Sequence, residues 1–148
     1  MSDIESESGL ENVKRPWHMW VVGVLTLFWN GSGAVTFLMA QLGLLPNLSP
    51  EEAAFYAAQP LWYVLLVNIA TWGAFLAGIA LLFKSRIAFN LFGLSLVMIV
   101  VTDLIDLATS HFQTPAQEDA TTLTLMVLVI AVLQFLYTWR WKLQGVLK

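Results

Sequence analysis

The chain has 148 residues, 58% of them hydrophobic and 11% charged, with a net charge of −3 and no cysteine. A soluble domain carries roughly 25% charged residues, so the surplus apolar content reads as lipid-facing surface and not as a larger core. The missing cysteines exclude disulfides, thiol catalysis and cysteine metal sites, and no basic patch points to nucleic acid.

Residues 1–16 are expected to be a disordered, acidic cytoplasmic tail carrying Asp3, Glu5, Glu7 and Glu11. A signal peptide needs a basic start and a small-residue cleavage site, and this stretch has neither. The membrane domain is read over 17–142, with 143–148 as a short cytoplasmic tail.

Span 1 is predicted over about 17–45, longer than the roughly 20 residues that cross ~30 Å of hydrocarbon. Asn30-Gly31-Ser32-Gly33 is its candidate kink. Trp17, His18 and Trp20 suit an interface, where amphipathic rings concentrate. In the loop that follows, Ser49 reads as an N-cap, Pro50 as the first helical residue, and Glu51 and Glu52 as charges at the positive end of the helix dipole. The short helix through Phe55 and Tyr56 is expected to lie on the membrane surface and to end at Pro60.

Span 2 is predicted over 61–83, with Trp62 and Tyr63 as interfacial anchors. Lys84-Ser85-Arg86 is short enough to force an antiparallel helical hairpin. Span 3 is predicted over 87–108. A second loop, 109–119, carries His111, Pro115, Glu118 and Asp119. Span 4 is predicted over 120–139, with Trp139-Arg140-Trp141-Lys142 as its anchor. The fold class is therefore an all-α, up-down, four-helix integral membrane bundle.

Orientation follows from the basic residues. All seven, namely Lys14, Arg15, Lys84, Arg86, Arg140, Lys142 and Lys148, fall on one side of this plan. The positive-inside rule puts that side, with both termini, in the cytoplasm. A bacterial inner membrane is the expected location.

Polar residues inside a span are expensive and face a bundle interior or a cavity. Ser95, Thr102, Asp103 and Asp106 share one face of span 3, and the two carboxylates are helical neighbours. Such a pair can share a proton or bind a cation, or simply reach hydrated headgroups. Asn30, Thr36, Asn68, Thr102 and Asp103, with Asp106 at the boundary, are candidates to line a path open to the outside. Trp29 and Trp72 are nearby, and aromatic faces beside Asn and Asp suit a sugar or another polyol. The same polar groups serve equally as interhelical hydrogen bonds, worth about 0.6 kcal/mol each on average in membranes.

Ala70, Gly73, Ala74, Ala77 and Gly78 form a small-residue packing face on span 2. Gln134 reads as a packing or oligomer contact. His18 and His111 fall on opposite sides of the plan and cannot share one haem. His111 with Glu118 or Asp119 reads as a solvated loop in preference to a metal site. No Ser-His-Asp set, phosphate-binding glycine loop or HExxH pattern is present, so neither an enzyme, a metal nor a cofactor is expected.

The stretch His18-Met-Trp-Val-Val-Gly-Val-Leu-Thr-Leu-Phe-Trp-Asn-Gly-Ser-Gly-Ala34, then Phe37-Leu-Met-Ala-Gln41, resembles the opening of a family of small four-span bacterial inner-membrane proteins. Some members carry a sugar-transporter label. Ala80-Leu-Leu-Phe-Lys-Ser-Arg-Ile-Ala88 followed by Ser95-Leu96 is similar to that family's middle. The likeness spans roughly 17–107, and Trp-Asn-Gly is its most specific element. Members commonly show an acid followed by Tyr where this chain has Thr36-Phe37. The four-span plan is more distantly similar to DoxX-type proteins, whose acid in span 2 is matched here only by Asn68.

Three functions fit these residues. One is a small-solute, sugar-like transporter, which four short helices would form only as a homo-oligomer. A second is a non-catalytic accessory or assembly subunit docked through the small-residue face in a larger membrane complex. The third is a DoxX-like, redox-linked membrane protein.

Overall fold

The computed structural model describes residues 17–109 and 120–147. The acidic tail 1–16 and the loop bearing His111, Pro115, Glu118 and Asp119 lie outside the described residues. The described chain forms five helices: α1 (Trp17–Gln41), α2 (Pro50–Ala58), α3 (Leu61–Leu82), α4 (Ile87–Thr109) and α5 (Ala120–Leu143). Four of them, all but α2, are long and apolar enough to cross a membrane. The 22 residues of α3 span about 33 Å at 1.5 Å per residue, the thickness of a hydrocarbon core. Phe28 and Leu107 are almost fully exposed, as lipid-facing side chains are. The chain is an all-helical, multi-pass membrane protein.

Helix ends follow local chemistry. The first span stops at Gln41 and not at Leu45, because Gly43 takes φ +65°. Its N–H reaches the Ala40 carbonyl at 3.1 Å, and the Leu44 N–H reaches Met39 at 2.8 Å. That pair of bonds is the Schellman closure. α3 ends the same way at Lys84 (φ +57°), with Lys84 N–H on Leu81 at 3.0 Å and Ser85 N–H on Ala80 at 2.9 Å. α5 does so at Gly145 (φ +70°), after running past Trp139 to Leu143. Arg140 and Lys142 in its last turn complement the negative end of the helix dipole. α1 runs unbroken through Asn30-Gly31-Ser32-Gly33.

α3 packs between α1 and α4, and α5 packs on α4. The close approaches use missing side chains. A Cβ on Gly23 would collide with Leu82 Cδ2, and one on Gly78 would sit 3.1 Å from Leu27 Cδ2. Between α4 and α5, the Phe89 and Phe135 rings lie 5.1 Å apart and Lys142 Nζ sits 3.9 Å over the Phe89 ring. α1 meets α5 through His18, whose ring lies 5.6 Å from Trp141 and 6.5 Å from Tyr137.

The dense core occupies the end of the bundle where α1 begins and α5 finishes, here the terminal end. Met19, Ala77, Leu81, Ala88 and Phe92 pack there with Val146 and Leu147. Those last two residues, expected within a short tail, turn back after Gly145 and are buried under the bundle. The Arg86 Nε–H donates to the Leu147 carbonyl at 3.2 Å and pins the return.

Candidate functional site

The opposite end, where α2 lies, is hollow. A cavity of about 460 Å³ opens there among α1, α3, α4 and α5, with Tyr56 of α2 at its edge. Its volume falls in the range of small-molecule sites. A second void of about 20 Å³ continues inward between Asn30, Ser95 and Gln134, with room for about one water. Beyond it the packed core closes the bundle.

α4 supplies the charge. Asp103 and Asp106 both line the cavity, one turn apart. The Tyr63 hydroxyl donates to the Asp106 carboxylate, 3.0 and 2.9 Å from its two oxygens. Asp103 Oδ2 is buried with no hydrogen-bond partner among the described residues. Thr102 is buried, and its hydroxyl sits 3.1 and 2.8 Å from the Met98 and Ile99 carbonyls of its own helix. α1 supplies Trp29, Asn30, Thr36 and Phe37. The Asn30 side-chain amide donates to the Thr26 carbonyl at 2.9 Å, one turn back.

Two expected members lie elsewhere. The Asn68 side-chain amide donates to the Val64 carbonyl at 2.8 Å and is absent from the cavity wall. Trp72 packs edge-on against Phe75 at 5.9 Å and is also outside the wall. Helix rotation explains both. The cavity face of α3 is Tyr63, Val67, Ala70, Thr71 and Ala74, and Asn68 and Trp72 fall off that stripe. Tyr63 is correspondingly no interfacial anchor. It is 5% exposed while Trp62 beside it is 50% exposed. Tyr63 shares the helical spacing of Val67, Ala70 and Ala74, but in a span that is apolar all round this spacing carries little rotational information.

α2 is more than a surface helix. Its capping box is complete: the Ser49 N–H and hydroxyl donate to Glu52 Oε2 at 2.9 and 2.8 Å, and the Glu52 N–H donates back to Ser49 Oγ at 3.2 Å. Those two donors hold the Glu52 carboxyl below its ordinary range. Burial, aided by the Glu52 charge, pushes the Tyr56 phenol up, so it remains a neutral donor at the cavity edge. A Gln41–Gln59 side-chain hydrogen bond of 2.5 Å ties the helix back to the end of α1.

The small-residue face of α3 is consumed inside the chain. Ala70, Ala74, Ala77 and Gly78 are buried, and a Cβ added to Gly73 would meet Ser95 Cβ at 3.9 Å. The Ser95 hydroxyl donates to the Ala70 carbonyl at 2.6 Å, bridging α4 to α3. This face is therefore turned into the bundle, toward α1, α4 and the cavity. Gln134, read as a packing or oligomer contact, lines the small inner void. Among the described residues no group of three or more His, Asp or Glu side chains is placed to hold a metal. Comparison of the chain with protein-family models, with curated proteins and with solved structures finds no match.

Proposed function

We propose that this protein binds a small polar solute at the outer face of a bacterial inner membrane and, as a homo-oligomer, moves it inward. The observation that carries the reading is the asymmetry of the bundle. A cavity with two carboxylates and several aromatic rings opens at one end, and packed core fills the other. That asymmetry supports reading the open end as an outward-facing entrance, as alternating access requires. Lys84, Arg86, Arg140 and Lys142 cluster at the packed end, which the positive-inside rule assigns to the cytoplasm. Glu51 and Glu52 flank the open end.

The accessory-subunit alternative draws no support from the α3 small-residue face, because that face is turned into the bundle. The test is uptake by proteoliposomes holding the full chain, screened with labelled sugars, polyols and amines. Asp103→Asn is expected to abolish uptake at an unchanged amount of inserted protein. Equal uptake by wild type and Asp103→Asn would remove this path.

A further inference from the structure

Granting that the cavity is a solute site, we infer that its ligand is a small organic cation, held by Asp103 against aromatic walls, and not a neutral sugar. Two carboxylates line the cavity from α4, and among the described residues its wall carries no Lys, Arg or His to neutralise them. The described basic side chains sit at the far end of the bundle. Asp106 has the Tyr63 hydroxyl as its partner. Asp103 lines the same wall and has a buried oxygen without one among the described residues. A carboxyl group at membrane depth faces a partner or a cavity, and a cation entering the cavity would favour its charged form.

A metal ion asks for several donors in a fixed shell, and the described residues offer no cluster of three His, Asp or Glu side chains. An organic ammonium asks for less: one carboxylate and aromatic faces within about 6 Å of the charge. Trp29, Phe37, Tyr56 and Tyr63 bring four aromatic rings to the wall of the same cavity. A neutral polyol could donate hydroxyls to Asp103 and stack on the rings, but it would bring no charge to meet the carboxylate.

The experiment compares choline with its neutral isostere 3,3-dimethylbutan-1-ol and with glucose, by thermal unfolding of the full chain in lipid nanodiscs. Choline is expected to raise the melting temperature saturably, while the isostere and glucose do not. Asp103→Asn should weaken the choline effect about thirtyfold or more, as loss of a charge partner does. Asp103→Glu, which keeps the charge, should retain most of it and guards against a folding defect in the Asn variant. If the isostere stabilises as well as choline, or Asp103→Asn binds choline normally, the cation assignment is overturned. Stabilisation by glucose alone would overturn it while leaving the small-solute reading intact. No response to any of the three overturns the assignment as well, and uptake by proteoliposomes then decides the broader reading separately.

Discussion

The hydroxyl of Tyr63 on α3 and the carboxylate of Asp106 on α4 form a hydrogen bond across the mouth of the cavity, at 3.0 and 2.9 Å. A further side-chain tie between these helices runs from Ser95 to the Ala70 carbonyl nearer mid-span. Tyr63→Phe is expected to cost about 1 kcal/mol, within the range of interhelical bonds in membranes. Asp106→Asn keeps an acceptor for the phenol and should cost less. Reversible unfolding in mixed micelles measures both. A Tyr63→Phe chain as stable as wild type would show that the bond contributes nothing net.

The α2 cap should respond to acid. The Glu52 carboxyl is held below its ordinary value by Ser49, so the charged form favours the folded helix. Its contribution is complete above pH about 4.5, the ordinary carboxyl value, and is lost as pH falls through the lower folded value. Hydrogen exchange of the α2 amides should accelerate across that acidic window in wild type. Ser49→Ala should raise exchange at neutral pH by an amount equivalent to about 1 kcal/mol. An α2 whose protection ignores both changes would mean that the Gln41–Gln59 tie alone holds it.

Bulky residues on the α3 small-residue face should strike the chain itself. Ala74 is 5% exposed and a Cβ on Gly78 already approaches Leu27 and Thr26 at 3.1–3.3 Å. Ala74→Phe and Gly78→Phe are expected to destabilise the isolated protein by at least about 1–3 kcal/mol through overpacking. Their melting curves in detergent give the answer. Wild-type stability combined with loss from a native complex would restore this face as a docking surface.

Lys84 closes α3 in the left-handed conformation that Gly43 and Gly145 adopt at the ends of α1 and α5. A side chain there costs roughly 1–2 kcal/mol, which glycine avoids. Lys84→Gly should therefore raise the melting temperature, with Arg86 left to hold the orientation of the hairpin. A lower melting temperature would show that the Lys84 side chain contributes more than its backbone strain costs.

Hydropathy over the length of a bilayer was enough to place all four spans, because lipid forces every backbone group to be satisfied within a helix. Ser49, Pro50 and Glu52 announced the start of α2 by residue type alone. Asp103, Asp106, Asn30 and Thr36 were also legible as polar groups on apolar helices, and all four line the cavity. Rotation of one helix against the next was not. It decides that Tyr63 turns inward to a carboxylate 43 residues away while Asn68, little more than a turn along, turns to its own backbone. Hydropathy carries little rotational information in a span that is apolar all round. The destination of the Ala and Gly stripe was open for the same reason: it states that something packs closely, not which helix.

The return of Val146 and Leu147 into the core bears on the order in which the molecule is made. α1, α3 and α4 can meet while α5 is still being synthesised, yet the cluster around Met19 and Leu81 has no floor until residues 146 and 147 emerge. A reporter fused immediately after them would pull at the Arg86 bond and at two buried side chains. A spacer is therefore needed before any such fusion can read the behaviour of the native bundle.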